Sequence, residues 1–220
     1  MGKINIAIDG PAGAGKSTIA KIISKSLGII YLDTGAMYRT VALKAMQEGI
    51  DTQDKGKLDG LVENLNVQIK YTGEEQHIFL DGEDVSSKIR TPAISIGASN
   101  VAVVPSVRIK MVDIQRTIAS ENDVVMDGRD IGTYVLPNAS LKIFLTASVE
   151  ERAKRRYNEQ IEKGIVGVSL EEVKKDIEYR DNNDSSRDFA PLSKAEDAIA
   201  VDTTDLSIED VAKKIMSYLK

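Results

Sequence analysis

Gly10-Pro11-Ala12-Gly13-Ala14-Gly15-Lys16-Ser17 decides the fold. The stretch satisfies G-x-x-x-x-G-K-[ST], with Thr18 directly after it. A short apolar run, Ile4 to Ile8, precedes it and ends at Asp9. Behind it, Ile19, Ile22, Ile23 and Leu27 recur at helical spacing up to Gly28, a natural stop. Strand, glycine-rich loop and helix in that order form a phosphate cradle. Glycines let backbone N–H groups curl around phosphate oxygens, and the helix N-terminus adds partial positive charge. Lys16 is expected to reach the β- and γ-phosphates of a triphosphate, and Ser17 to ligand Mg²⁺.

Outward from this loop, the chain keeps a strand–helix rhythm. Ile29 to Leu32, Asp123 to Met126, Leu141 to Leu145 and Ala198 to Val201 read as further buried strands, and Ala36 to Gln47 as a helix. Residues 92 to 120 read as mostly helical with a break near Pro105. Ser148 with Glu151, Ser169 with Glu172 and Ser207 with Asp210 fit the capping-box spacing at three helix starts. The first two open a helical hairpin around Gly164 and Gly167, a lid of about 150 to 187. One region breaks the rhythm: Asn66 to Tyr71 and His77 to Asp81 alternate apolar and polar residues around Gly73. The expectation is α/β: a doubly wound parallel five-stranded sheet of the P-loop kinase type, with a small antiparallel β insertion and a helical lid. Residues 1–57 and 93–220 would form the core, and 58–92 an inserted antiparallel subdomain.

Composition narrows the function. The formal charge of −5 lacks the basic excess of a nucleic-acid binder. The absence of cysteine rules out disulfides and thiolate metal sites, and one histidine, His77, cannot build a histidine cluster. His77 reads as an ordinary strand residue. The first residues, Met1-Gly2-Lys3-Ile4-Asn5-Ile6, lack the apolar core of a signal peptide, and no run approaches the ~20 apolar residues of a membrane span. A soluble cytoplasmic monomer acting on small molecules, without nucleic acid or membrane, is the expectation.

Several P-loop chemistries remain. The Asn-Lys-x-Asp base-reading motif of common GTPases is missing. Val124-Val125-Met126-Asp127 resembles the strand that ends in Asp-Glu in motor ATPases, but Gly128 follows where the water-activating glutamate would stand. The arginines point to phosphoryl transfer onto an anionic acceptor. There are ten, and eight lie at or after residue 108. Arg39, Arg129 and Arg187 lie near strand ends or the lid, and Arg152, Arg155 and Arg156 share one helix face. Guanidinium groups suit bidentate phosphate recognition, and an acceptor that is already a phosphate needs no general base. The plainer alternative is that Arg152, Arg155 and Arg156 pair with Glu151 and Glu159 on a solvated face. Arg90 and Arg116 read as solubility residues.

Five blocks together resemble the bacterial cytidylate kinases: Asp9 to Thr18, Asp33 to Arg39, Leu80 to Ser86 with Ile89-Arg90-Thr91, Asp127 to Gly132, and Arg180 to Arg187 leading into Ala190-Pro191-Leu192. The likeness covers nearly the whole chain. It implies transfer of the γ-phosphate of ATP, with Mg²⁺, to CMP or dCMP. It further implies Thr34, Arg108 and Asp130 at the cytosine, with Thr34 in place of the family's frequent serine. Ser99, Arg180 and Asp184 would face the pentose, and Arg39, Arg129 and Arg187 the acceptor phosphate. Lys16, Arg129, Arg187 and a lid arginine, Arg155 or a neighbour, would carry the catalysis. The rival readings are another small-molecule P-loop kinase, acting on UMP, AMP or shikimate, and a nucleotide-dependent switch.

Overall fold

The computed structural model describes residues 3–219; Met1, Gly2 and Lys220, assigned above to the ends of the core, lie outside the described residues. Five parallel strands form the central sheet: β1 (Asn5–Asp9), β2 (Ile30–Asp33), β6 (Val124–Gly128), β7 (Leu141–Thr146) and β8 (Ile199–Asp202). Their order is β2-β6-β1-β7-β8. Successive side chains of β1 point to opposite faces. Ala7 packs with Leu32 and Met126 against α2 (Thr34–Gln47) and α5 (Pro105–Glu121). Ile6 and Ile8 pack with Val125 and Ile143 against α1 (Lys16–Leu27) and α8 (Ile208–Met216). Both faces are therefore covered, as a parallel sheet of apolar strands requires.

The five strands, the fully parallel pairing and the antiparallel insertion match the expectation. The insertion consists of β3 (Val67–Thr72), β4 (Glu75–Leu80) and β5 (Glu83–Asp84) in one small sheet. His77 sits on β4, where it pairs with Asp84. Its approach differs from the expectation. Residues 55–63 form a helix, α3, whose start is capped by the Asp54 carboxylate accepting from the Lys57 N–H. Gly56 and Gly60 disguise it, because glycine disfavours helix interiors by ~1 kcal/mol each. The signal was nonetheless present: Leu58, Leu61, Val62 and Leu65 are all buried at helical spacing. These residues join Ile78, Leu80, Val85 and Ile89 of the insertion in the same apolar cluster as Met37 and Met111. The insertion and the α2–α5 side of the sheet thus share one core.

Helix α2 begins at Thr34, two residues before the expected Ala36, because the Asp33 carboxylate accepts from the Ala36 N–H. Helices α4 (Pro92–Val101) and α5 meet at the expected break before Pro105. The lid hairpin consists of α6 (Val149–Glu162) and α7 (Leu170–Ser186). Only Ser169 and Glu172 complete a reciprocal capping box; Ser148 and Ser207 cap from one side. No single helix among the described residues is long and apolar enough to cross a membrane.

Candidate active site

Three aspartates end three neighbouring strands: Asp9 on β1, Asp33 on β2 and Asp127 on β6. The register sets Asp33 beside Asp127 and Asp9 beside Gly128. Ligands of such sheets bind at this carboxyl edge. Here the P-loop turns away from β1. Gly10 has φ +146, and a Cβ there would lie 2.1 Å from the Leu145 carbonyl oxygen, so only glycine lets the loop pass over β7. Lys16, Ser17 and Thr18 open α1, which leaves their N–H groups without intrahelical acceptors and available to phosphate.

The Lys16 ammonium donates to the Pro11 carbonyl at 2.7 Å across the loop. Burial, then Arg129 and Arg180, push it well below its ordinary range. The Ser17 hydroxyl donates to Asp127 at 2.8 Å, and the Tyr31 hydroxyl binds the other oxygen of that carboxylate at 2.7 Å. A serine hydroxyl and a carboxylate oxygen side by side form a hard-oxygen pair. That pair suits Mg²⁺, which keeps few protein ligands and takes the rest from water and phosphate. Among the described residues no group of three or more His, Cys, Asp or Glu is arranged to hold a metal ion.

The expected acceptor residues converge beside this loop. Arg129 donates from Nε to Asp184 at 2.6 Å. Arg187 reaches Asp130 at 3.3 Å and Asp184 at 3.7 Å. Arg108, 1% exposed, is ion-paired with Asp130 and lies 5.5 Å from the Tyr38 ring. Arg39 pairs with Asp33 at 2.8 Å. Burial would raise Asp184, but Arg129, Arg187 and Arg180 outweigh it and hold the carboxyl below its usual range. For Asp33, Arg39 and Arg90 likewise overcome burial. Arg180 forms no ion pair among the described residues: burial and the charge of Arg129 push it down to about 10 against the pull of Asp184, still cationic at neutral pH. Of seven buried polar side-chain atoms that find no partner among the described residues, four belong to expected acceptor residues: Arg39 Nε, Ser99 Oγ, Arg108 Nε and Arg180 Nε. Buried donors without acceptors are rare in folded proteins, and a cluster of them marks where a polar ligand would sit.

Not every expected residue stands in that cluster. The Thr34 hydroxyl, expected at a base, donates to the Asp127 carbonyl at 2.7 Å and so ties α2 to β6. The three lid arginines divide. Arg155 is held by Glu151 at 2.9 Å and by the Thr203 carbonyl at 2.6 Å, beyond β8. Arg156 pairs with Glu159 at 2.8 Å, yet its charge also lowers Arg180. Arg152 is buried against the P-loop. The plainer pairing with Glu151 and Glu159 thus describes two of the three. Arg116 is more than a solubility residue: it donates to the Tyr134 and Val135 carbonyls at the end of a π-helical turn, Ile131–Val135.

Asp9 went unassigned in the sequence. Its two carboxylate oxygens accept from Ile131 N–H at 2.8 Å and Gly132 N–H at 2.7 Å, pinning the segment that carries Arg129 and Asp130 to the strand that carries the P-loop. Burial raises it to about 6 against the two backbone hydrogen bonds. No local signal betrays such a contact, since its partners lie more than 120 residues away.

The comparisons with known proteins agree with this architecture. The family model described as cytidylate kinase matches residues 6–220. A cytidylate kinase of Geobacillus sp. (strain WCH70) is 54% identical over 216 residues, covering 98% of this chain and 96% of the relative. Those of Alkaliphilus oremlandii (54%, 99% and 98% covered) and Caldicellulosiruptor bescii (53%, 98% and 95% covered) are similarly close. Among solved structures, a gluconokinase from Sinorhizobium meliloti (TM-score 0.52, 14% identity, 99% and 91% covered) shares the fold. So does a shikimate kinase from Bacteroides thetaiotaomicron (TM-score 0.50, 14% identity, 98% of each chain covered). With its P-loop, its parallel sheet and its full-length likeness to these relatives, the chain belongs to the cytidylate kinase family.

Proposed function

We propose that the protein transfers the γ-phosphate of ATP to CMP or dCMP, giving CDP or dCDP and ADP. The observation that carries this reading is the cluster of Arg39, Ser99, Arg108 and Arg180, each with an unpartnered buried polar atom, beside a phosphate-binding loop. The P-loop, residues 10–18, takes the donor phosphates, with Lys16 on the β- and γ-groups. Ser17 and Asp127 would hold the Mg²⁺ that accompanies ATP, which draws off negative charge from the phosphate oxygens. Arg39, Arg129 and Arg187 position the acceptor phosphate; Ser99, Arg180 and Asp184 face the pentose. Lys16, Arg129 and Arg187 neutralise charge as the phosphoryl group crosses. Arg155 reaches the donor phosphates only by leaving Glu151 and Thr203, so its part belongs to a closed lid that excludes water. Residues 58–92 act as the acceptor-binding unit.

Base choice falls to Asp130 and Arg108, with Thr34 nearby. Cytosine presents an amine donor flanked by a ring-nitrogen acceptor and a carbonyl. Asp130 accepts from the amine, and Arg108 donates to the acceptors. UMP offers a carbonyl where CMP has the amine, so it would set an acceptor against the carboxylate. We read the chain as a cytoplasmic monomer that works on these small molecules, without nucleic acid or membrane. Incubation with Mg·ATP and equal concentrations of CMP, dCMP, UMP, AMP and shikimate tests the reading. CDP and dCDP should dominate; equal turnover of UMP or shikimate, or ADP release without any acceptor, would overturn it.

A further inference from the structure

The two lid helices grip the P-loop from outside. Arg152, in the first turn of α6, donates from Nη1 to the Ala12 carbonyl at 2.9 Å and to Asp181 Oδ2 at 2.6 Å. Asp181, near the end of α7, accepts through Oδ1 from the Ala12 N–H at 3.2 Å. The Ala12 residue is thus held at its N–H and its C=O by one ion pair. Arg152 Nε is fixed on the Ala147 carbonyl at 3.0 Å. The contact is tight: a Cβ at Gly13 would lie 3.1 Å from both the Cβ and the carbonyl oxygen of Arg152. Side-chain exposure is 5% for Arg152 and 22% for Asp181.

A loop with glycine at 10, 13 and 15 has a large conformational entropy to lose when phosphates order it. Fixing it beforehand removes part of that cost from binding. We propose that Arg152 and Asp181 are a positioning pair for the donor triphosphate: they hold Ala12 on the convex side, so that the N–H groups of Lys16, Ser17 and Thr18 face inward before ATP arrives. The pair makes the base of the lid part of the donor site. Any lid movement then hinges between Arg152 and Asp181, not outside them. Neither residue forms an ion pair or hydrogen bond with the acceptor cluster among the described residues, although the Asp181 charge acts on Arg129.

The inference rests on residues 10–18 being the donor site. Initial rates with each substrate varied in turn, and calorimetric titration with Mg·ATP and with CMP, test both. Asp181→Ala should raise the KM for ATP roughly tenfold or more while the KM for CMP stays within about twofold. Asp181→Asn, which keeps an acceptor for Ala12 but turns an amide toward Arg152, should give a smaller rise of the same kind. Arg152→Met combined with Asp181→Ala should be no worse than the poorer single variant, since one contact is lost in both. An unchanged KM for ATP, an equal rise for both substrates, or an additive double variant would overturn the pair's role. If the alanine variant does not fold, Asp181→Asn decides by the same split between substrates. A wild-type protein that shows no calorimetric binding of Mg·ATP would sink the donor-site reading itself. Normal wild-type turnover with an unaltered Asp181→Ala sinks only the pair.

Discussion

The proposed donor and acceptor halves of the site are built from different materials. The donor half, on this reading, is mostly backbone: residues 10–18, all of which except Pro11 carry an N–H that could turn to phosphate, with Lys16 as the main side chain. The acceptor half is side chain: arginines from α2, α5, the β6 end and the lid, each anchored by a carboxylate. Backbone recognition cannot distinguish one nucleoside triphosphate from another, but it survives wide divergence in sequence. Side-chain recognition is selective and has to be held open. Four cations near one another would repel, and Asp33, Asp130 and Asp184 keep Arg39, Arg108, Arg129 and Arg187 in place. Arg180 is the exception. Burial first, and then the charge of Arg129, lower it to about 10.

Arg129→Ala should strike this arrangement hardest. It removes a phosphate contact and leaves the buried Asp184 carboxylate short of its partner, so kcat/KM for CMP should drop by roughly 3–5 kcal/mol in coupled-assay kinetics. Wild-type turnover would remove Arg129 from the acceptor side. Asp9, which joins the two halves, offers a pH test. Its folded value lies above the ordinary 3.8, near 6, so the folded state keeps a proton that the unfolded state releases. Stability should therefore fall as pH rises from about 4 to about 6, by up to ~3 kcal/mol from this group, and level off above. Urea unfolding of Asp9→Asn should lack that slope; an identical profile would mean that Asp9 is not raised.

A smaller effect concerns selectivity. Asp130→Asn keeps the volume but supplies a donor as well as an acceptor. The ratio of kcat/KM for CMP over UMP should narrow by ~1–3 kcal/mol, and an unchanged ratio would take Asp130 out of base reading. The mildest test concerns the insertion. The Tyr71 hydroxyl donates to the Tyr31 carbonyl at 3.2 Å, docking the hairpin on the edge strand β2. Tyr71→Phe should cost ~1 kcal/mol of stability in chemical denaturation and leave donor affinity unchanged.

The same contrast explains what could be read from the sequence. The P-loop lies in one run, and the strands announce themselves as short apolar segments before glycine or aspartate. The acceptor residues run from Thr34 to Arg187, and no periodicity connects them. Arg39, Arg129 and Arg187 could be singled out by their places near strand ends and the lid; the other acceptor residues were legible only through the resemblance of whole blocks. Contacts that rest on tertiary geometry alone stayed hidden. Asp181 and Ala12 are 169 residues apart, and an Arg-Asp pair in a charged helical hairpin looks like surface decoration. Helix α3 was lost for a local reason, one glycine in its first turn and another in its middle, although its buried face kept the right spacing.

The order of the central sheet carries one more consequence. Strands β1 and β2 are close in sequence but do not touch; β6 lies between them, with Val124 paired to both Asn5 and Ile30. As the chain leaves the ribosome, the middle of the sheet has to wait for residues 124–128, long after the first two strands have been made. Strand β1 has both of its sheet neighbours, β6 and β7, still to come, so the phosphate loop, among the first segments synthesised, extends from a strand whose pairing is made only later.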